Sequence, residues 1–403
     1  MRRSLAVAVA ALVACGAPAT APDRTPASTA SRTPGATSQT IAPTRSPTPT
    51  PSPRLGPAVL ENVQLIAAGL EVPWAIAIAP DGRIFVTERP GRVRIARLGG
   101  GGLQAEPWAR VPARANPDAE RGLLGIALDP DFARTAFVYL YYSYAGPGGA
   151  TLNRLVRLRD ANGVGVDETI LVDNIPGAAN HDGGRIAFGP DGKLYVATGD
   201  GEVQNRAQDR GSLGGKILRL EKDGSVPADN PFPGSPVYSL GHRNVQGIAF
   251  HPDTGVLYET EHGPSGFFPA CCQDEVNRIE PGANYGWPLV TGRAGDQRFR
   301  DPILSSGATD TWAPSGAAFA TRPGPLRGSF LFAGLRAQHL HRIVLTPDGR
   351  GVAFEERLLV NQYGRLRDVY EISTGEFLVL TSNRDGRGRP AADDDRMLLV
   401  TLR

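Results

Sequence analysis

The 403-residue chain lacks a basic run, lacks a long apolar run after its first residues, and shows no 10–15-residue amphipathic pattern between its β-rich segments. Each absence excludes a class. Lys and Arg number 43 against 41 Asp and Glu, and six of the basic residues with one acidic residue precede Ala58, leaving 37 against 40 in the remainder. A nearly neutral body without a basic stripe has no electrostatic footprint for nucleic acid. Beyond the start, no stretch of about 18 apolar residues could span a bilayer. Without helical crossovers, strands cannot be joined in parallel, which rules out α/β folds. Aromatic residues are missing from residues 16–57, where ten prolines lie among many Ser and Thr. Such a segment cannot bury enough apolar surface to offset its ordering entropy, so residues 15–57 read as a disordered tether. What is abundant is glycine, 49, and proline, 35, which suit a turn-rich β architecture.

Arg2 and Arg3 followed by the apolar stretch Leu5 to Ala14 read as an export signal, with residues 1–14 removed. Leu12-Val13-Ala14-Cys15-Gly16 resembles a bacterial lipobox. The resemblance implies lipidation of Cys15 and a domain tethered to the outer face of a membrane, periplasmic or at the cell surface.

From Ala58 to Arg403 one pattern recurs: an apolar run, a Pro-Asp turn, a β-rich run. It occurs at Ala75–Glu88, Gly125–Ser143, Arg185–Asp200 and Gly247–Glu261, and more weakly at Gly316–Gly334 and Val369–Ser382. Each copy predicts two alternating strands joined by a tight turn. Six copies at roughly 58 residues per unit match four-stranded blades. The expectation is all-β, a six-bladed propeller of four-stranded antiparallel blades over residues 58–403, with seven blades as the alternative because the last third is irregular. Function must then come from loops converging at one end of the channel.

Four polar segments could supply it. Asn180-His181-Asp182-Gly183-Gly184-Arg185 offers a neutral imidazole as proton acceptor beside glycines that leave room for a ligand. Gly241-His242-Arg243-Asn244 offers fixed donors for an oxygen-rich ligand. Glu261-His262-Gly263-Pro264, Asp274-Glu275-Val276-Asn277 and the run around Tyr285 offer hard oxygen ligands, without EF-hand spacing, which suit Ca²⁺ over zinc. Arg336 and the alternating Arg365-Leu366-Arg367 put guanidinium groups on one side, costly unless an anion sits between them. Taken singly, each has a plainer reading as a cap, a salt bridge or a solvated surface.

Together with Val72-Pro73-Trp74-Ala75, Thr87-Glu88-Arg89-Pro90-Gly91, Gly122-Leu123-Leu124-Gly125 and Asn284-Tyr285-Gly286-Trp287-Pro288, these segments resemble, in order, the soluble PQQ-dependent aldose sugar dehydrogenases of the glucose/sorbosone dehydrogenase family. The resemblance implies a six-bladed propeller, aldose sugars as substrates and PQQ and Ca²⁺ as cofactors. It implies His181 as general base and Arg243, Asn244, Arg336, Arg365 and Arg367 as cofactor-binding residues. It implies Ca²⁺ on the carbonyls of Gly263 and Pro264, and a second Ca²⁺ near Glu275 and Tyr285. Two departures affect the expected substrate side: Glu120 stands where members usually have Gln, and Asn180 where some have Asp. The family also holds non-catalytic binding propellers, so a surface module for a glycan or protein partner is the competing reading, and a lactone hydrolase a third. Cys271 and Cys272 read either as a vicinal disulfide or as free thiols, stiffening the insertion Ser265–Gln273, whose Phe267 and Phe268 would wall a sugar site. The physiological electron acceptor is not legible.

Overall fold

Alternation closed by Pro-Asp turns gives antiparallel strand pairs, and the computed structural model, which describes residues 55–99, 102–264 and 271–403, contains one such pair for every repeat. At Pro80-Asp81-Gly82 the Asp81 carboxylate accepts the Arg83 N–H at 3.0 Å while Gly82 takes a φ of 80°. That combination is what a tight turn requires of Asp and Gly. Pro130-Asp131 instead leads into one helical turn, Phe132–Thr135.

The described residues form six four-stranded antiparallel sheets, which excludes seven blades. The innermost strands are Pro73–Ile78, Leu123–Leu128, Gly183–Phe188, Val245–Phe250, Pro314–Phe319 and Leu366–Ser373. Each packs on the next, and Pro73–Ile78 meets Leu366–Ser373, so the ring closes. Blades sandwich one another, and the second strands are buried on both faces: Ile84, Phe85 and Val86 are essentially without exposure. Phe85 meets Trp108 and Phe132 edge to face at 5.4 and 6.1 Å, tying the first blade to the second.

The sixth blade is built differently. Its inner three strands, Leu366–Ser373, Glu376–Thr381 and Met397–Leu402, come from the end of the chain, while its outer strand is Leu60–Ala67 from the beginning. That strand pairs antiparallel with Met397–Leu402, so chain start and chain end fasten the ring. The export signal, Cys15, most of the tether, and Phe267 and Phe268 lie outside the described residues. Among the described residues no helix is long and apolar enough to cross a membrane.

Candidate active site

His181 lies in the loop that joins the outer strand of the second blade, Val164–Pro176, to the inner strand of the third. Its backbone is left-handed, with φ 60°. The N–H donates to Glu120 Oε2 at 3.3 Å, and the carbonyl accepts from the Gly201 N–H at 3.0 Å. A Cβ on Gly199 would stand 1.8 Å from the His181 carbonyl oxygen, and one on Gly183 2.6 Å from the Gly199 nitrogen. The glycines after His181 therefore admit neighbouring backbone and, at Gly184, Leu124 and Tyr141. This corrects the expectation that they make room for a ligand.

The imidazole Nδ1 is 2.9 Å from Asp200 Oδ1. Asp200 is fully buried at the end of the third repeat, and its other oxygen accepts the Trp287 indole N–H at 2.8 Å. With the carboxylate accepting the Nδ1–H hydrogen bond, Nε2 carries the free lone pair. His181 lines a cleft of about 850 Å³ at one end of the channel. Asp200 was not singled out from the sequence. The only signal is its place at the close of a repeat, where buried aspartate is out of character.

Arg243, Arg336, Arg365 and Arg367 line the same cleft. The anion expected between Arg365 and Arg367 is partly supplied by the chain: Asp385 sits 2.9 Å from Arg365 Nε and 3.7 Å from Arg367 Nη2. Nothing in the sequence marked Asp385, which follows the sixth blade's second strand. Arg367 Nη1 donates to Gln246 at 2.7 Å. Burial draws the Arg367 guanidinium down to about 9, despite the Asp385 charge. Arg243 donates to the His262 carbonyl at 3.1 Å and lies 5.3 Å from the centre of the Trp287 ring. Among the described residues, three buried polar atoms on these walls, Arg243 Nε, Arg367 Nε and His262 Nε2, have no hydrogen-bond partner. The two guanidinium N–H donors without acceptors mark where an oxygen-rich ligand would fit.

Asn244 does not reach the cleft wall. Its Nδ2 donates to Glu120 Oε2 at 3.0 Å and its Oδ1 accepts the Gly183 N–H at 3.1 Å, so it braces the His181 loop. Glu120 and Asn180 do line the cleft, with both ends of the Asn180 amide engaged, to Glu202 at 2.8 Å and from Arg387 at 2.9 Å.

Pro264 also lines the cleft, and behind it Gly263, Pro264, Glu261, Glu275 and Tyr285 surround a hollow of about 10 Å³. That is close to the room one water-sized sphere needs. The Asp274 carboxylate is committed to backbone, accepting from Gly263 at 2.9 Å and Trp312 at 2.6 Å, and so shapes the turn. Gly263 is required there, since a Cβ would meet the Cys272 carbonyl at 1.9 Å. The Tyr285 hydroxyl donates to the Arg278 carbonyl and accepts from Glu280, which leaves only its backbone for an ion. Burial pushes the Glu261 and Glu275 carboxyls up to about 8, with Glu261 adding to the rise at Glu275. Two carboxylates and backbone oxygens around an ion-sized space fit Ca²⁺ in donor type. His242 takes no open position, because its nitrogens face Ser239 at 2.9 Å and Glu261 at 3.0 Å. Cys271 and Cys272 are joined by a disulfide.

The sequence model of the glucose/sorbosone dehydrogenase family matches residues 70–398. The chain belongs to that family. Among its relatives, the aldose sugar dehydrogenase YliI of Escherichia coli is 33% identical over 348 residues, covering 81% of this chain and 91% of that one. Quinoprotein glucose dehydrogenase B of Acinetobacter calcoaceticus is 34% identical over 275 residues, covering 61% and 56%. The solved PQQ-bound form of the Streptomyces coelicolor aldose sugar dehydrogenase superposes with a TM-score of 0.78 at 38% identity, covering 87% of this chain and all of that chain. Family membership and the six-bladed ring agree with the resemblance read from the motifs.

Proposed function

We propose that the chain oxidises the anomeric hydroxyl of aldose sugars to lactones, with PQQ and Ca²⁺ as cofactors and His181 as general base. The observation that carries this reading is the meeting, in one cleft, of an Asp200-oriented imidazole with arginines whose buried Nε atoms lack acceptors among the described residues. PQQ, a tricarboxylate, supplies when bound the quinone that accepts the hydride. Arg243, Arg336 and Arg367 offer positive charge to its carboxylates, while Asp385 offsets part of Arg365. The carbonyls of Gly263 and Pro264 would hold Ca²⁺, whose chemistry there is Lewis-acid polarisation. His181 Nε2 takes the hydroxyl proton, and buried Asp200 stabilises the imidazolium that results.

The test is titration of the metal-free protein with PQQ and Ca²⁺, followed by absorbance and by dye reduction with a panel of aldoses. His181→Ala is expected to bind PQQ and to lose about 100- to 10,000-fold in kcat. Wild-type protein that leaves the PQQ spectrum unchanged would favour a partner-binding propeller. On the same reading the domain is exported and held at a membrane through Cys15. Cys15→Ser is expected to release it into the soluble fraction of fractionated cells; unchanged membrane association would refute the anchor.

A further inference from the structure

Arg387 has no part in the reading above, yet it lines the cleft. It belongs to the loop after the sixth blade's second strand, Glu376–Thr381. Two contacts fix where that loop lies. Gly386, at φ 83°, packs so closely on the loop before the second blade that a Cβ would meet the Pro117 carbonyl at 2.6 Å. The Arg387 N–H donates to Asp385 Oδ1 at 3.0 Å, the carboxylate that also holds Arg365. From there the guanidinium spreads over two partners, Nη1 on Glu120 Oε1 at 3.2 Å and Nη2 on Asn180 Oδ1 at 2.9 Å.

Glu120 passes the contact inward. Its second oxygen accepts both the His181 N–H and the Asn244 Nδ2. Burial opposes ionisation of Glu120, yet positive neighbours, His262 and Arg387 foremost, hold it down to about 2. His262 is itself driven by burial to about 3 and is uncharged near neutrality, and Arg89, Arg243 and Arg367 act on Glu120 through space, so among the described residues Arg387 is the cation in direct contact with it. An amide at position 120 could accept the same N–H without needing a counter-charge. A carboxylate there is largely shielded from water and, without Arg387, keeps two uncharged N–H donors but no contacting cation, a costlier setting for an anion.

We propose that Arg387 is a positioning residue for His181: it fixes Glu120, and Glu120 fixes the left-handed backbone that aims the imidazole into the cleft. Glu120 on this view serves the base and not the sugar, which revises the substrate role expected from sequence. The proposal rests on His181 acting as the base, and its test separates the two.

Arg387→Met, Glu120→Gln and the double variant are compared as PQQ- and Ca²⁺-loaded enzyme and, in the metal-free protein, by the backbone amide NMR signal of His181. Arg387→Met is expected to lower kcat at least tenfold while KM for the aldose and Kd for PQQ change less than threefold. In the Glu120→Gln background the same change should cost less than threefold, because the anion that needs compensation is gone. The His181 amide signal should move in Arg387→Met and move back toward its original position in the double variant. Equal losses in both backgrounds, no loss at all, or an unmoved amide would overturn the proposal. If wild-type protein oxidises no aldose, the functional reading fails, and the amide signal alone decides whether the clasp positions His181.

Discussion

His181 holds a positive φ of 60°, which for a non-glycine residue costs of order 1 kcal/mol or more and persists only where surroundings over-determine it. Here they do so through Glu120 on the N–H, Gly201 on the carbonyl and Asp200 on Nδ1. Strain is thus spent on presenting one nitrogen to the cleft. Asp200→Asn keeps the shape but can turn an N–H donor toward Nδ1, which favours the tautomer with its proton on Nε2. Steady-state kinetics of the loaded enzyme should show kcat reduced at least about 100-fold with PQQ binding retained. An unaltered kcat would mean that Asp200 only supports Trp287. Asp182, the next residue, answers to different forces. It is buried, one of its oxygens has no partner among the described residues, and burial raises its carboxyl to about 8. Its proton is held in the folded state and lost in the unfolded one between the ordinary carboxylate range and pH 8. Its contribution is therefore present in full below pH 4 and disappears as pH climbs through 8. Asp182→Asn should flatten the pH dependence of the melting temperature between pH 5 and 8, measured calorimetrically; an unchanged slope would contradict this.

Among the elements, the doubly buried second strands share the blade contacts with the innermost strands. Phe85 is fully buried between Trp108 and Phe132. Truncating it leaves a cavity where two blades meet, so Phe85→Ala should cost about 3–5 kcal/mol in chemical denaturation. A loss under about 1 kcal/mol would show that the seam can collapse around the gap. Strand pairs at the repeats were legible because period-two alternation and the Pro-Asp-Gly turn are local signals. The outer strands were harder to read. Leu304–Ser305 is two residues long, and Val164–Pro176 and Val352–Leu358 are largely half-exposed, so their apolar pattern is diluted. The first strand, Leu60–Ala67, could not be assigned to its partner at all, since Met397–Leu402 lies at the other end of the sequence.

For the whole molecule, His181, Arg243, Arg336, Arg365 and Arg367 were identified from the chain itself as residues of suitable chemistry, and the ring brings all five to one cleft. Their supports were not legible. Asp200, Asp385 and Arg387 are ordinary charged residues in ordinary turns until distant loops are folded over the channel. The same holds for Asn244, whose amide was assigned to the cofactor and is used on Glu120 and Gly183. Sequence by itself determined the β character, the six repeats and the kinds of groups available, because alternation, turns and residue chemistry are properties of neighbours. Which carboxylate faces which guanidinium, and which nitrogen of an imidazole is left free, was decided only by closing the ring. The pairings at the cleft join residues up to 267 positions apart, and their energies depend on a burial that no local stretch of chain can create.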